Sequence, residues 1–165
     1  MLKKIVLAAL FCLPLGMLAQ DKIAYVNTQD VYKVMPETGI AESEFVKFRQ
    51  SFENDLRRME DEYNKKMAEF QQQSDSLPQT IKVRRMQELQ DIRERSQTYL
   101  EQMQQEMEKK QNDLNMPIIQ KIRDAIKAVS TENGYTYVLE EGYFLYVAPN
   151  AINATPLVKA KLGIK

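Results

Sequence analysis

Two long runs of helix-forming sequence flank the stretch Gln72-Gln73-Ser74-Asp75-Ser76-Leu77-Pro78-Gln79, and this stretch decides the fold. Its Ser, Asp and Pro residues favour turns over helix interiors. The first run extends from residue 37 to about residue 73, and the second from residue 80 to residue 115. Each run would form a helix of about 55 Å at 1.5 Å per residue. Because the lengths match, the second helix can return along the first, which predicts a long antiparallel coiled-coil arm with its tip near residues 72–79.

Each predicted helix carries an apolar stripe. In the first helix the steps are 3, 4, 4, 3, 4, 4 and 3, an 11-residue repeat that favours a nearly straight packing seam. The second stripe is narrower and more polar. Such stripes need a partner in water, and the other helix is the nearest one. The first stripe comprises Phe45, Phe48, Phe52, Leu56, Met59, Tyr63, Met67 and Phe70, and the second comprises Met86, Leu89, Ile92, Ser96, Tyr99 or Leu100, Met103, Met107 and Leu114.

The N-terminus has the pattern of a cleaved export signal. Lys3 and Lys4 precede an apolar stretch that is too short to span a bilayer, and Ala19 offers a small residue for cleavage. Residues 1–19 are therefore predicted to be a signal peptide, and the mature protein is predicted to be exported to the periplasm. Cys12, the only cysteine, falls inside this segment.

The mature chain would contain neither cysteine nor histidine. That composition excludes disulfides, Cys nucleophiles, Ser-His-Asp triads and the usual zinc sites. No enzyme activity, metal or cofactor is expected. After removal of residues 1–19 the chain has 21 basic and 23 acidic residues, and residues 37–115 have 13 basic and 17 acidic ones. Since nucleic-acid binding needs a basic excess, no nucleic-acid partner is expected, and neither is stable membrane insertion.

The two ends of the chain are predicted to form a head from residues 20–36 and 116–165. A strand at residues 23–26 leads into a short helix that Asn27 or Thr28 caps. Pro117 should end or kink the returning helix, and an apolar helix then runs to a glycine terminus at Gly134. Residues 135–139 and 143–147 read as the strands of a β-hairpin, and Thr155 reads as the cap of a last helix that ends before Gly163.

The fold class is therefore α+β and mostly α, with a long arm on a small β-containing head. A few short strands cannot build an independent core, so several heads should share one. The sequence predicts an oligomer on these physical grounds alone.

The order of these elements resembles the Skp (OmpH-like) family of periplasmic chaperones, and the likeness covers essentially the whole mature chain. It is carried by residues 22–27 with Val31, Pro36 and Glu37, residues 117–126, residues 133–140, residues 146–148, Ile152 and residues 155–158. The resemblance implies a jellyfish-like homotrimer whose arms enclose unfolded outer-membrane β-barrel proteins without using ATP. The best-known members are strongly basic, whereas this mature chain is slightly acidic. Contact with a lipid or lipopolysaccharide surface therefore does not follow from the likeness here.

Two explanations stay open for the apolar side chains of the arm. They can pack helix against helix, or they can hold clients weakly and promiscuously, as flexible Met residues do well. The candidate client-binding residues are Val46, Phe52, Met59, Tyr63, Met67, Phe70, Met86, Tyr99, Met103 and Met107. The candidate oligomerisation residues are Ile23, Tyr25, Tyr137, Leu139, Leu145 and Tyr146, and Pro117 is the candidate hinge.

A second class of protein shares these features. A secreted structural coiled-coil or adaptor protein that binds one defined partner would also have long helices and no catalytic groups. Promiscuity separates the two classes, because a chaperone protects several unrelated unfolded proteins whereas an adaptor does not.

Overall fold

A computed structural model describes residues 21–164, so the predicted signal peptide and Cys12 lie outside the described residues. In chain order the elements are β1 (Ile23–Val26), α1 (Thr28–Val34), α2 (Pro36–Gln73), α3 (Gln79–Asn133), β2 (Tyr137–Glu140), β3 (Ile152–Asn153) and α4 (Thr155–Lys161). Short 3₁₀ turns lie at Ser74–Ser76 and Glu141–Tyr143. The described chain divides into two compact units, which are called here the helical unit (residues 32–120) and the terminal unit (residues 21–31 with 121–164).

The helical unit consists mainly of α2 and the part of α3 up to residue 120, about three quarters of that helix. Helix α2 begins at Pro36, where the fixed φ angle and missing N–H group of proline suit a first helical turn, and it ends at Gln73. The 3₁₀ turn at Ser74–Ser76 follows, and α3 begins one residue after Pro78. The turn lies in the stretch where the sequence placed a break between two helices.

Helix α3 continues through Pro117 to Asn133. Pro117 therefore does not end the returning helix, and the alternative that it kinks the helix stays a prediction. An interior proline costs about 3 kcal/mol through its lost hydrogen bond and its clash with the preceding turn. The helix nevertheless persists because buried side chains at helical spacing favour it on the C-terminal side of the proline. These side chains are Ile118, Ile122, Ala125 and Val129.

The terminal unit contains a three-stranded parallel sheet in the order β2-β1-β3. Ile23 to Val26 pair with Tyr137 to Glu140, and Ala24 and Tyr25 pair with Ile152 and Asn153 on the other side. The buried residues of this unit come from β1, α1, the end of α3, and α4 with the residue before it. They are Ala24, Val26, Val31, Ile122, Ala125, Val129, Ala154, Thr155 and Val158.

The predicted β-hairpin of residues 135–139 and 143–147 is wrong. β2 pairs with β1 instead, and after it the chain turns through Glu141–Tyr143, where Phe144 N–H donates to the Glu141 carbonyl. The strand that completes the sheet is β3 at Ile152–Asn153, so residues 143–147 form no strand. β1 and β2 are more than 100 residues apart in the sequence, so no local turn marks their parallel pairing. The sequence Glu-Glu-Gly between two apolar runs, in contrast, resembles the turn of a β-hairpin.

Most predicted helix ends in the terminal unit are confirmed, with one exception. Asn27 Oδ1 accepts the Asp30 N–H at 2.8 Å, and Gly134 and Gly163 have φ angles of 64° and 74°. Thr155, however, makes no side-chain cap of α4. Its hydroxyl oxygen instead accepts the Asn27 N–H at 3.0 Å, because the end of β1 leaves that donor without a partner in the sheet.

Candidate functional site

Polar contacts join α2 to α3 along much of the helical unit. Lys110 Nζ lies 3.5 Å from a carboxylate oxygen of Glu44, and Tyr99 OH donates to Asp55 Oδ2 at 2.9 Å. Nearer the turn, Lys66 Nζ lies 3.4 Å from Glu88 Oε2. The residue numbers on α3 fall as those on α2 rise, so the side chains of the two helices meet in reverse order.

The apolar stripes lie at this helix–helix contact, except for Met86, which was predicted as part of the α3 stripe but is 60% exposed. All eight residues of the α2 stripe are half-buried, and Leu89 and Ile92 on α3 are buried. Eight of the ten candidate client-binding residues are therefore half-buried between the helices, as the packing explanation predicts. They are Phe52, Met59, Tyr63, Met67, Phe70, Tyr99, Met103 and Met107. Val46 and Met86, the other two candidates, are exposed.

Tyr99 is the stripe residue that the sequence could not separate from Leu100. Its ring lies 5.4 Å from that of Phe52, and its hydroxyl donates to Asp55. Burial, followed by this hydrogen bond, raises the pKa of Tyr99 above its usual value. The hydrogen bond from Arg58, followed by that from Tyr99, lowers the pKa of Asp55. Leu100 instead points to solvent with 48% of its surface exposed, so it is the accessible one of the pair.

Glu88 collects three cations near the turn between the helices. Lys66 approaches it from α2, and Arg84 and Arg85 approach it from the preceding turn of α3. Desolvation alone would raise the pKa of Glu88, but the Arg85 hydrogen bond and the charges of Lys66 and Arg85 outweigh it, so that the pKa is lowered. The Lys66–Glu88 ion pair joins α2 to α3 at this end of the helical unit, whereas the two arginine pairs lie within α3.

Seven large apolar side chains of α2 and α3 are exposed, and they are called here the exposed apolar set. The set comprises Ile40, Val46, Ile81, Val83, Met86, Leu100 and Met116. Ile40, Val83, Met86 and Met116 are more than half exposed. Of the set, only Val46 and Met86 were predicted from the sequence as site residues. The signal that marks Ile40, Ile81 and Met116 is an apolar residue out of step with the stripe, since such a side chain cannot reach the helix–helix contact. Leu100 carries no such mark, because it fits the stripe as well as Tyr99 does.

A groove of about 710 Å³ opens between the helices beside Met59, Ile92 and Tyr99. Ser96, a small residue in the α3 stripe, faces Met59 there, with its hydroxyl 3.7 Å from the sulfur. The hydroxyl also donates to the Ile92 carbonyl of its own helix at 2.9 Å, so it needs no hydrogen-bond acceptor from α2.

In the terminal unit, four candidate oligomerisation residues share one face of the sheet. Ile23 is in register with Tyr137, and Tyr25 is in register with Leu139, so their side chains point to the same side. Ala24 and Val26 point to the other side and are buried. Ile23, Tyr137 and Leu139 are exposed large apolar residues, which leaves an apolar face open to solvent.

Leu145 and Tyr146, the remaining candidate oligomerisation residues, lie outside the sheet because residues 143–147 form no strand. Both are highly exposed, as is Tyr143. Tyr146 also lines a cavity of about 210 Å³ with Ile23 and Tyr25. The exposed apolar surface of the terminal unit therefore continues from the sheet onto this segment.

Within residues 21–164, no cluster of three or more His, Cys, Asp or Glu side chains could hold a metal ion. None of the helices in that range is long and apolar enough to cross a membrane. Pro117, the candidate hinge, lies inside α3.

Comparison with known proteins places the chain in a family. The sequence profile described as "Outer membrane protein (OmpH-like)" matches residues 22–162. The chain is 25% identical to the "Chaperone protein Skp" of Pectobacterium atrosepticum over 130 residues, which cover 79% of each chain. It is also 25% identical to that of Photorhabdus luminescens over 165 residues, which cover 97% of this chain and 100% of the relative.

A solved structure shares the fold. It is described as an OmpH-like outer membrane chaperone from Caulobacter crescentus CB15, and it superposes with a TM-score of 0.77 at 13% identity over 87% of this chain and 85% of that one. The long helices and the small sheet are shared with this OmpH-like structure, and the match to the family profile shows the family of the chain. The chain belongs to the OmpH-like family, and the relatives named Skp support a chaperone role.

Proposed function

We propose that this protein is an ATP-independent holdase chaperone of the periplasm that binds unfolded outer-membrane β-barrel proteins. Its relatives carry the names "Chaperone protein Skp" and "Outer membrane protein (OmpH-like)", which indicate the kind of client. Residues 37–115 are the antiparallel coiled-coil arm of this proposal, and residues 20–36 with 116–165 form the head. Three heads would assemble a shared body, with Pro117 as the hinge of each arm.

The observation that carries the proposal is the exposed apolar set on α2 and α3. Seven large apolar side chains of these mostly charged and polar helices are exposed to solvent. Scattered single contacts of this kind are individually weak, so affinity would come from many of them acting together on one unfolded chain. Weak, distributed contacts also allow release without chemical energy.

The first experiment compares the mature protein with a variant in which Ile40, Val83, Met86 and Leu100 are replaced by Ser. We expect the wild-type protein to suppress aggregation of several unrelated unfolded barrel proteins, and the variant to do so several-fold less well while its helical circular dichroism is retained. The matched control replaces exposed polar residues on the same helices (Gln50, Gln71, Gln104 and Gln105) by Ser. Equal protection by all three proteins would contradict binding through the exposed apolar set.

The second experiment separates a chaperone from an adaptor protein that binds one partner. Light scattering of several unrelated barrel proteins diluted from urea should fall in every case when the protein is added. A variant without residues 50–105, closed by a short turn, should remain oligomeric by native mass measurement and should protect none of the clients. Protection of a single client alone would favour the adaptor, and protection by the deletion variant would refute the assignment of binding to the arm.

A further inference from the structure

The groove beside Ser96 has a charged rim around an apolar floor. Four carboxylates line it (Glu62, Glu88, Asp91 and Glu94) against two cations (Lys66 and Arg95). The difference is two negative charges, in a groove that is otherwise lined by Met59, Ile92 and Tyr99 among others. The groove would therefore complement a peptide segment with an apolar side chain at its centre and cationic side chains on either side.

The two cations of the rim already have anionic partners. Lys66 Nζ lies 3.4 Å from Glu88, and Arg95 lies 3.9 Å from Glu62. These pairs neutralise two of the four carboxylates and leave the excess on Asp91 and Glu94.

Asp91 and Glu94 are held in place without losing their charge. Each accepts a hydrogen bond from a neutral glutamine four residues earlier, at 2.8 Å from Gln87 and 2.9 Å from Gln90. A neutral donor orients a carboxylate but does not cancel its charge, so both remain available to an incoming cation. They lie one helical turn apart on α3, which presents them on the same side of the groove.

The floor suits a large flexible or aromatic side chain. The Met59 thioether is polarisable and makes favourable contacts with aromatic rings, and the Tyr99 ring adds an aromatic surface beside it. The volume of about 710 Å³ exceeds that of any single side chain, so the groove has room for a short stretch of polypeptide.

We propose that this groove binds extended segments of unfolded polypeptide in which Lys or Arg flanks an aromatic or large aliphatic side chain. The proposal rests on the proposed function, since it names the segments that an arm would hold. It gives the arm a sequence preference within its broad range of clients. The apolar centre fills the floor, and the flanking cations meet Asp91 and Glu94.

Fluorescence anisotropy with labelled nine-residue peptides tests this preference on the full mature protein. Three Gly/Ser-based peptides differ only at the centre, which is Lys-Phe-Lys, Glu-Phe-Glu or Lys-Ser-Lys. We expect the first to bind at least about fivefold more tightly than Glu-Phe-Glu at low ionic strength, because two partly exposed ion pairs are worth about that factor. It should exceed Lys-Ser-Lys by at least as much, because serine places no apolar side chain on the floor. The advantage over Glu-Phe-Glu should shrink in 0.5 M salt.

Two variants assign the preference to the groove. Asp91→Asn with Glu94→Gln should remove the advantage of Lys-Phe-Lys over Glu-Phe-Glu, whereas Glu106→Gln with Glu108→Gln changes the charge of α3 equally outside the groove and should keep it. Equal binding of the three peptides, no binding of any, or a preference that survives Asp91→Asn with Glu94→Gln would each overturn the proposal.

Aggregation assays on the same protein distinguish this failure from failure of the proposed function. If the wild-type protein protects unfolded barrel proteins but shows no peptide preference, the groove proposal fails and the chaperone assignment stands. If it protects none of them, the chaperone assignment fails, while the peptide measurement still decides what the groove binds.

Discussion

At the scale of single residues, one buried hydroxyl connects the two ends of the chain. Thr155 Oγ1 accepts the Asn27 N–H, a donor at the end of β1 that no strand satisfies. Neighbouring contacts at this end of the sheet are also polar, since Glu140 accepts the Thr28 N–H at 3.1 Å and Glu141 accepts from Asn27 Nδ2 at 2.7 Å. The start of α1 is thus satisfied by side chains from β2 and α4.

Thr155→Val tests the value of this bond. Valine has nearly the same shape but cannot accept a hydrogen bond, so a partly buried N–H group is left without a partner. We expect the free energy of unfolding to fall by about 1–3 kcal/mol in urea titrations. Thr131→Val is the matched control, because that threonine is exposed and bonds only to the Lys127 carbonyl of its own helix. Its effect should stay within about 0.5 kcal/mol, and an equal loss in both variants would contradict the special role of Thr155.

Asp55, Glu88 and Tyr99 should make the stability of the helix pair depend on pH at both extremes. The pKa values of Asp55 and Glu88 are lowered on folding, so their contribution is complete above their unfolded values of about 4 and is lost as pH falls through the lower folded values. The pKa of Tyr99 is raised on folding, so its contribution is complete below about 10 and is lost as pH rises through the folded value.

Thermal unfolding followed by circular dichroism between pH 2 and 12 measures both limbs. Asp55→Asn with Glu88→Gln should flatten the acid limb and should also weaken the alkaline limb, because Asp55 contributes to the raised pKa of Tyr99. Tyr99→Phe should remove the alkaline contribution of Tyr99 and should flatten the acid limb less than the double variant does, because Arg58 still lowers the pKa of Asp55. An acid limb that is identical in the wild-type protein and the double variant would show that other carboxylates control acid unfolding.

At the scale of elements, the same substitution should have opposite effects at two glycines. Gly134 lies just beyond α3 with a φ angle of 64°, where an alanine is strained by about 1 kcal/mol or more. Gly39 lies inside α2, and a Cβ atom added there would meet nothing within 4 Å. Gly134→Ala should therefore lower the free energy of unfolding, whereas Gly39→Ala should raise it by up to about 1 kcal/mol. Chemical denaturation decides the point, and effects of the same sign would contradict it.

Two α3 side chains separate packing from client binding. Ile92 is 2% exposed at the helix–helix contact, whereas Leu100 is 48% exposed. Ile92→Ala should cost about 2–5 kcal/mol of stability, because it leaves a cavity between the helices. Leu100→Ala should change stability by less than about 0.5 kcal/mol and should weaken protection of unfolded clients. A Leu100→Ala protein that protects clients as well as the wild type would remove Leu100 from the proposed surface.

Local signals in the sequence predicted the helices well. Pro36, the Ser74–Pro78 break and Gly134 mark their ends through backbone chemistry that depends on near neighbours. The 11-residue spacing of the α2 stripe likewise predicted which side chains would be half-buried. Each of these features depends on residues within a few turns of one another.

Features that depend on distant contacts could not be read in the same way. The parallel pairing of β1 with β2 has no local marker, so Glu140-Glu141-Gly142 was interpreted as a hairpin turn. Tyr99 and Leu100 fit the stripe equally well, and only the partners Asp55 and Phe52 distinguish them. The groove is lined by Met59 of α2 together with Ile92 and Tyr99 of α3, so neither helix reveals it alone.

At the scale of the whole molecule, the open face of the sheet predicts self-association. Ile23, Tyr137 and Leu139 leave apolar surface in water on a sheet that is too small to be stable alone. We expect native mass measurement of the mature protein to give a trimer, and Leu139→Glu to shift it toward monomer.

The matched control for this prediction is Leu157→Glu. Leu157 and Leu139 are both 41% exposed, but Leu157 lies on α4 and outside the sheet. Its variant should keep the mass of the wild type. A wild-type monomer at working concentrations, or equal dissociation of both variants, would contradict assembly through the sheet face.

The long-range pairing of β1 affects the order in which the parts of the chain fold. Asn27 meets Thr155, which comes 128 positions later, whereas Lys66 and Glu88 are only 22 positions apart. Closing a short loop costs less conformational entropy than closing a long one. The two helices should therefore pair first, starting at the turn between them, and β1 should pair with β2 and β3 later. The open face of the sheet, which is proposed to mediate self-association, would therefore form last. The two helices that are proposed to bind clients would form before it.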